Sequence, residues 1–289
     1  MKDLPPTIIG IDIGSVAASV VQLTLQKQML QTSYAFHYGD IPGTLNKLLA
    51  DLDLSRPVWV AASESTPETV RASSRFDDQI CCIAAARHHQ PAARTILKVG
   101  GERFYLIRLG EDGGYLGSRG STSCAAGTGA FLDQQARRLG LDGAWAISCQ
   151  ALSNRAPRPP IASRCAVFAK TDLIHAQQEG HGLDAICDGL CHGLAKNITD
   201  TVMGASVNLP QPLVFCGGVA LNKAVGRYLA ELTGLSVIIP DQPQLSGAWG
   251  AALALVETLS QKGGVHPAPM IIRRAHDLIQ SSSRKHTYT

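Results

Sequence analysis

Hydrophobic positions along the chain form two kinds of pattern, short apolar runs and longer stretches with helical spacing. The short runs predict strands at 7–13, 19–25, 58–62, 95–99, 102–109, 213–216 and 237–239. The longer stretches predict helices at 45–52, 80–88, 125–139, 166–179, 183–203, from 222 on, and at 247–259. Strands and helices that alternate in this way are typical of an α/β protein. With 289 residues the chain is long enough for two domains of ordinary size.

The sequence repeats one arrangement of strand, glycine turn and strand. The first copy turns at Gly14, and the second turns at Gly100 and Gly101. Glycine lets a backbone approach a ligand closely, and the N–H groups of such a turn can hold phosphate. Asp12 ends the first strand, where a carboxylate can hold Mg²⁺ through water. An ordinary Asp–x–Gly turn without a ligand is the alternative explanation.

Two cysteines each stand immediately before a helical pattern. Cys124 precedes 125–139 and Cys165 precedes 166–179. A helix N-terminus carries unpaired N–H groups and partial positive charge, which favour a thiolate or a bound anion. Two such cysteines suit an iron–sulfur cluster, because a symmetric dimer would supply the usual four thiolates. The alternative is that both are small buried apolar residues.

These two helical patterns have the apolar positions Phe131, Leu132, Ala136 and Leu139, and Val167, Phe168, Ile174 and Ala176. Cys187 and Cys191 lie one helical turn apart in 183–203, the spacing of a helical metal pair, but core packing is the favoured interpretation. Cys149 falls in a predicted irregular connector, and we expect Cys81 and Cys82 to be core or surface thiols.

Five segments together resemble one family. They are IIGIDIGS, SCAAGTGAFLD, SRCAVFAKTDLI, LVFCGGVALNKAV and PQLSGAWGAALA, and they span about residues 7–257. The chain is similar to the ATPases that activate 2-hydroxyacyl-CoA dehydratases and benzoyl-CoA reductases. The resemblance implies two ribonuclease-H-like domains of the actin, Hsp70 and sugar-kinase type with a nucleotide cleft between them. It also implies a homodimer with one bridging [4Fe–4S] cluster and ATP with Mg²⁺. Electrons would pass from a ferredoxin or flavodoxin to an acyl-CoA dehydratase or reductase component, in an anaerobic cytoplasm.

The resemblance assigns residues and domains. The candidate acids are Asp12, which the resemblance places at the first phosphate turn, and Glu102, which stands where the family favours an amide. The implied cluster ligands are Cys124 and Cys165. The implied nucleotide site consists of Gly14, Ser15, Lys98, Gly100, Gly101, Gly127, Thr128, Gly129, Gly217, Gly218, Asn222 and Lys223. The first domain is expected at 5–93 with 244–262, the second at 94–243, and a C-terminal tail or linker at 263–289.

The sequence departs from this family at both glycine turns. Val16, Ala17 and Ala18 follow Ser15 where the family has several hydroxyl residues. Lys98 stands where the family has an acid before the second turn. A lysine can contact phosphate as a point charge, but it can neither bind Mg²⁺ nor polarise water as a carboxylate does. We therefore expect nucleotide binding to be kept better than ATP hydrolysis.

Composition narrows the function classes. Hydrophobic residues make up 45% and charged residues 17% of the chain, as in a soluble globular protein. No apolar run reaches the roughly 18 residues of a membrane span, and MKDLPPTIIG lacks the apolar core of a signal peptide. A cytoplasmic protein is expected, in which eight cysteines are thiols or ligands rather than disulfides. The net charge of +3 comes from the basic C-terminal end and does not indicate a nucleic-acid surface.

Three functions are compatible with these features. The first is an ATP-dependent iron–sulfur electron donor of the activator family. The second is a nucleotide-binding regulatory or scaffold relative that does not hydrolyse ATP. The third is a small-molecule kinase of the same fold, which needs a carboxylate base that the sequence does not mark. The kinase hypothesis also leaves the paired cysteines unexplained.

Overall fold

The computed structural model describes residues 4–121, 128–162, 166–204, 209–261 and 266–279. The strands in these ranges are β1 (Thr7–Ile13), β2 (Ala17–Leu23), β3 (Met29–Phe36), β4 (Val58–Ser63), β5 (Ser74–Phe76), β6 (Thr95–Val99), β7 (Phe104–Leu109), β8 (Tyr115–Gly120), β9 (Leu213–Cys216) and β10 (Val237–Ile238). The α-helices are α1 (Ile41–Ala50), α2 (Asp78–His89), α3 (Gly129–Arg138), α4 (Gly143–Ser153), α5 (Ala166–Gln178), α6 (Leu183–Val202), α7 (Lys223–Thr233) and α8 (Ser246–Ser260). None of the helices in these ranges has both the length and the hydropathy that crossing a membrane requires.

The chain forms two compact units with the same sheet topology. The first comprises residues up to Ala85 together with those from Gly247 onward, and the second is Ala86–Ser246. The strand orders are β3-β2-β1-β4-β5 and β10-β9-β6-β7-β8. In each sheet the first three strands in chain order form an antiparallel meander. The fourth strand pairs in parallel with the first, and the fifth pairs in parallel with the fourth. The predicted α/β class is confirmed, and the two sheets match the actin, Hsp70 and sugar-kinase type.

The predicted hairpins form because their strands are apolar and their turns contain glycine. Ile11 pairs with Val20 in the first hairpin, and Leu97 pairs with Leu106 in the second. All four residues are buried, so both hairpins lie in the cores of their units. This burial fixes the register, because a slip of one residue would turn every apolar side chain to the other face.

The C-terminal segment differs from the predicted tail. Met270 pairs with Val58 of β4, and Ile272 and Leu278 are buried in the core of the first unit. Residues 266–279 therefore add to the first unit, because Met270 pairs with the start of β4, which the short strand β5 leaves uncovered, and apolar side chains of this segment join the core. The part of the predicted tail after 279 lies outside the described residues.

Two further predictions about the second unit need correction. Residues 143–153, expected to be irregular, form helix α4, which buries Ile147 and Ala151 and carries the exposed Cys149. The helix predicted from 125 begins at Gly129, because Thr128 has an extended backbone and occupies the N-cap position. Phe131, Leu132 and Ala136 are buried as expected.

Helix α5 begins at Ala166 as predicted, but its apolar positions are not all buried. Ala169, Leu173 and Ala176 face the core, whereas Val167 and Phe168 are 69% and 65% exposed. The buried positions are spaced three and four residues apart, so the core-facing stripe starts one residue later than the first apolar pair.

Helix α8 packs unusually close to its neighbours in the first unit. A Cβ on Gly10 of β1 would overlap the carbonyl oxygen of Ala248, and a Cβ on Gly250 would overlap the carbonyl of Cys81 in α2. Backbone meets backbone at both crossings, which only glycine permits. These contacts seat the first turn of α8 beside the end of β1.

Candidate functional site

Asp12 lies at the end of β1, just before the first glycine turn. Gly14 and Ser15 of this turn are exposed, and the N–H of Gly14 donates to the carbonyl oxygen of Ala17 at 3.0 Å. The turn is therefore closed by its own backbone, and Ser15 presents its hydroxyl to solvent. Asp12, Gly14 and Ser15 all lie at this turn of the first unit.

Three hydroxyl residues at and just after the end of β4 lie at the end of β1, and two of them contact Asp12. The hydroxyls of Ser63 and Ser65 both donate to Asp12 Oδ1, at 2.5 and 2.9 Å. Thr66 Oγ1 accepts the N–H of Ile13 at 3.1 Å and lies 3.3 Å from the carbonyl oxygen of Ile11. This cluster was not predicted from the sequence, although β4 was, because the pairing of β4 with β1 is a tertiary property.

The other oxygen of Asp12 faces the start of α8. A Cβ on Gly247 would overlap Asp12 Oδ2 and Cγ. Gly247 is therefore required by the side chain of Asp12 rather than by its own backbone conformation. The first turn of a helix carries partial positive charge, which favours a carboxylate at this place.

The buried side chain of His37 contacts the backbone of the first glycine turn. Its side chain is 8% exposed, its Nδ1 accepts the N–H of Gly39 at 3.0 Å, and its Nε2 lies 3.0 Å from the carbonyl oxygen of Gly14. Because Nδ1 is an acceptor here, the proton of the neutral ring is on Nε2 and is donated to Gly14. The N–H of His37 also donates to the carbonyl oxygen of Val16 at 3.2 Å.

The second glycine turn is joined to the start of α3. The N–H groups of Gly129 and Ala130 donate to the carbonyl oxygens of Gly100 and Gly101, each at 2.9 Å. Gly100 N–H donates to the carbonyl oxygen of Arg103 at 2.8 Å, which closes the turn. Two of the otherwise unpaired N-terminal donors of α3 therefore stabilise the turn.

The glycine turn after β9 lies beside these two elements. A Cβ on Gly217 would overlap the backbone of Val99, and a Cβ on Gly129 would contact both Val219 and Gly100. The second unit thus brings together the predicted residues Gly100, Gly101, Thr128, Gly129, Gly217 and Gly218. They meet because β6 and β9 are parallel neighbours whose carboxyl ends lie at one sheet edge.

Lys98 and Glu102 lie on either side of the second turn. Lys98 is partly buried near the end of β6, next to Cys216 in the β9 register. Glu102 is exposed in the turn itself. The roles assigned to Lys98 and Glu102 remain predictions.

Asn222 has a structural contact that the sequence did not reveal. Its side chain is 3% exposed, and its Oδ1 accepts the N–H of Val225 at 3.1 Å, which makes it the N-cap of α7. Its Nδ2 lies 3.5 Å from Cys191 Sγ in α6. Asn222 therefore fixes the start of α7, while the next residue, Lys223, is exposed.

A cavity of about 580 Å³ adjoins the start of α7. Its charged lining residues are Lys223, Arg227 and Asp241, and Leu221, Val237 and Ile239 supply apolar surface. The volume is within the range of small-molecule sites, which combine apolar walls with a few polar groups.

Arg227 connects this cavity to a buried polar network. Its Nη2 donates to Asp188 Oδ1 at 2.8 Å, and Tyr228 Oη donates to the same oxygen. Asn154 Nδ2 donates to Asp188 Oδ2 at 3.0 Å. Burial, together with the hydrogen bond to Asp188, raises the pKa of Tyr228. The network ties α7 to α6 and holds Arg227 at the cavity wall.

The cysteine pair on α6 is part of the core. Cys187 and Cys191 are both 0% exposed, and burial raises the pKa of each thiol to about 12. Both side chains belong to the hydrophobic core of the second unit, so the favoured interpretation of core packing is confirmed. Cys81 and Cys82 are buried as well. Among the residues that the structure describes, no group of three or more His, Cys, Asp or Glu is arranged to hold a metal.

Three predicted site residues, Gly127, Cys124 and Cys165, lie outside the described residues. Helix α5 begins directly after Cys165. The first described residue after Cys124 is Thr128, the N-cap of α3. The prediction that both cysteines are cluster ligands remains a prediction.

Comparison with known proteins gives consistent matches. The model of the BadF/BadG/BcrA/BcrD ATPase family matches residues 61–254. The activator of lactoyl-CoA dehydratase from Anaerotignum propionicum is 35% identical, over 88% of this chain and 99% of that protein. The 2-hydroxyisocaproyl-CoA dehydratase activator from Clostridioides difficile is 29% identical, over 84% of this chain and 92% of that protein.

The fold gives the same result. The solved structure of the activator of the 2-hydroxyisocaproyl-CoA dehydratase from Clostridium difficile with bound ADPNP superposes with a TM-score of 0.79. The match covers 90% of this chain and 99% of that one, at 27% identity. From these matches, and from the repeated hairpins and glycine turns, the chain belongs to the BadF/BadG/BcrA/BcrD ATPase family.

Proposed function

We propose that this protein is an ATP-dependent iron–sulfur electron donor that activates a 2-hydroxyacyl-CoA dehydratase or a benzoyl-CoA reductase-type enzyme. The observation that supports nucleotide binding is a structural repeat. In each unit a glycine turn, at Gly14 or at Gly100, joins the two strands of the first hairpin. Its relatives are named as activators of acyl-CoA dehydratases, and one solved relative contains a bound ATP analogue.

The residues of each unit fit parts of a nucleotide. Asp12 would hold Mg²⁺ through water, as its carboxylate is oriented by hydroxyls and has one oxygen toward α8. The glycine turns at Gly100 and Gly217 would allow phosphate and ribose to approach the backbone, because neither turn carries a side chain at these positions. The cavity beside Lys223 and Asp241 would take the adenosine.

Cys124 and Cys165 would hold the cluster. Two thiolates per chain satisfy half of a four-cysteine site, so a homodimer would share one [4Fe–4S] cluster between its two chains. The cluster would supply one-electron chemistry at low potential. A ferredoxin or flavodoxin would supply the electron, and anaerobic conditions would keep the cluster intact.

Anaerobic purification with iron and sulfide analysis tests this proposal. We expect four irons and four sulfides per two chains. Cys124→Ser and Cys165→Ser should each lose the iron, whereas the exposed Cys149→Ser should keep it. Iron retained in full by both single variants, or a protein that contains none, would exclude the cluster assignment.

A second function is supported by Lys98. A lysine before the second turn would hold phosphate by its charge but leave the site without a carboxylate for hydrolysis. The protein would then bind nucleotide as a regulatory or scaffold member of the family. Slow ATP turnover with tight ADP binding would favour this alternative over the first.

A further inference from the structure

The hydroxyl cluster at the end of β4 consists of Ser63, Ser65 and Thr66. Ala62 of β4 pairs with Ile11 of β1, so the strand end at Ser63 lies next to Asp12. The first glycine turn itself supplies one hydroxyl, Ser15, and continues with Val16 and two alanines. The cluster therefore places hydroxyls at Asp12 that the turn does not provide.

The three hydroxyls differ in burial. Ser63 is 0% and Thr66 is 1% exposed, whereas Ser65 is exposed. Ser63 Oγ lies 3.1 Å from Thr66 Oγ1 and 3.0 Å from Ser65 Oγ, so Ser63 contacts both of the other hydroxyls. Two members are fixed inside the protein, and one is at its surface beside the carboxylate.

Each hydroxyl carries a single proton, which limits the pattern of donation. Thr66 donates to the carbonyl oxygen of Ile11, Ser63 donates to Asp12, and Ser65 donates to the same Asp12 oxygen. If Ser65 turns its proton to another acceptor, Asp12 Oδ1 keeps the hydrogen bond from Ser63. Ser65 is therefore the member that can change its partner without releasing the carboxylate.

We infer that Ser65 donates a hydrogen bond to a phosphate oxygen of the bound nucleotide, and that Ser63 and Thr66 are positioning residues for Asp12. This inference rests on the proposed function, which places a Mg²⁺–nucleotide at Asp12. The backbone of Ser65 is itself held, since its N–H donates to Asp78 Oδ1 at 3.3 Å. The backbone position of Ser65 is therefore fixed, and only rotation of its side chain can move the hydroxyl.

The test is the dissociation constant of Mg-ADP and of a non-hydrolysable Mg-ATP analogue for the full-length protein. Ser65→Ala should weaken binding of the analogue about tenfold or more, the usual effect of losing one hydrogen bond to a charged group. Ser65→Thr keeps the hydroxyl and should bind within about threefold of the wild type. Ser55→Ala is the matched control, because Ser55 is an exposed serine that donates to Asp53 in the same unit.

Ser63→Ala separates positioning from packing. Loss of the buried donor should raise the Mg²⁺ concentration for half-maximal ATP turnover about tenfold, with a smaller effect on nucleotide affinity. A purely structural role would lower the unfolding temperature and leave the Mg²⁺ dependence unchanged, which would contradict the inference for Ser63.

Asp12→Asn separates the inference about Ser65 from the proposed placement of nucleotide at Asp12. If Asp12→Asn weakens nucleotide binding and Ser65→Ala does not, the inference about Ser65 is wrong while the proposed function stands. If Asp12→Asn also binds like the wild type, the placement of nucleotide at Asp12 fails, and the inference fails with it. Weaker binding in both variants, with Ser65→Thr and Ser55→Ala unchanged, supports both.

Discussion

The Nε2 of His37 lies 3.0 Å from the carbonyl oxygen of Gly14 and holds the first glycine turn against the end of β3. The proton is on Nε2, because Nδ1 accepts the N–H of Gly39. A buried histidine thus fixes the backbone that precedes Ser15. Its position links the sheet of the first unit to the turn that we propose to contact phosphate.

His37→Leu should weaken nucleotide binding, because the carbonyl of Gly14 and the N–H of Gly39 would both lose their partner. Each lost hydrogen bond costs about 1 kcal/mol, so we expect roughly a fivefold to thirtyfold change in the dissociation constant. In His37→Gln an amide can donate at the place of Nε2, so binding should recover in part. Titration calorimetry measures the effect, and equal binding by His37→Leu and wild type would contradict it.

Gly247→Ala should disable Asp12. The added methyl group would overlap the carboxylate, so the side chain would have to rotate away from Ser63 and Ser65. We expect nucleotide affinity to fall by about a factor of ten or more.

Gly250→Ala is the matched control for Gly247→Ala. Its methyl group would overlap the carbonyl of Cys81 in α2 and not Asp12. It should lower the unfolding temperature without changing the nucleotide affinity of the folded fraction. If both variants lose affinity equally, Gly247 acts through folding alone.

Thiol labelling should separate the cysteines by exposure and by pKa. At pH 8 a thiol with a pKa of about 12 is ionised to about one part in ten thousand, so Cys187 and Cys191 should resist iodoacetamide in the native protein. Cys149 is exposed and should react. Peptide mass spectrometry reads each site, and native labelling of Cys191 as fast as Cys149 would contradict the burial described here.

The same thiols make stability depend on alkaline pH. Folding raises their pKa from 9.0 to about 12, so the unfolded state loses these protons at lower pH than the folded state does. Their contribution to stability is therefore complete below about pH 9 and is lost as the pH rises toward 12. Urea unfolding between pH 8 and pH 11 should show a falling midpoint, and Cys187→Ala and Cys191→Ala should each flatten that fall.

Lys98→Asp should restore a carboxylate before the second glycine turn. We expect faster ATP turnover with weaker ADP binding, since a positioned acid–base group contributes about a hundred- to ten-thousand-fold in rate. Lys98→Gln removes the charge without adding a carboxylate, so it should weaken ADP binding and leave turnover slow. Fast wild-type turnover that collapses in Glu102→Gln would instead identify Glu102 as the acid.

The sequence predicted the two hairpins because each pairs apolar strands with a glycine turn, and both features are local. The helix predicted from Asn222 begins one residue later as α7, because Asn222 is its N-cap. Helix α4 was not predicted, because the apolar residues of this helix do not form one clear stripe. One of them, Trp145, is 71% exposed in the structure. The early start assigned to α3 overlooked the glycines around Thr128, which are poor helix formers.

The candidate site was only partly readable from the sequence. Asp12 and the glycine turns can be recognised in the sequence, because an acid or a glycine directly after an apolar strand is a local pattern. The contacts of His37, Gly247 and Ser63 form only when β3, α8 and β4 pack beside β1. A local sequence pattern does not reveal such tertiary contacts. The packing of residues 266–279 also depends on tertiary structure, because Met270 pairs with Val58 at the start of β4, where β5 does not reach.

We propose that nucleotide controls electron delivery from this protein to an acyl-CoA enzyme. The direct measurement mixes the reduced protein anaerobically with an inactive 2-hydroxyacyl-CoA dehydratase and follows dehydration of the acyl-CoA with ATP, with ADP or without nucleotide. We predict activity with ATP only, and none with the Cys124→Ser, Cys165→Ser double variant. Equal activation without nucleotide, or by the double variant, would contradict the account.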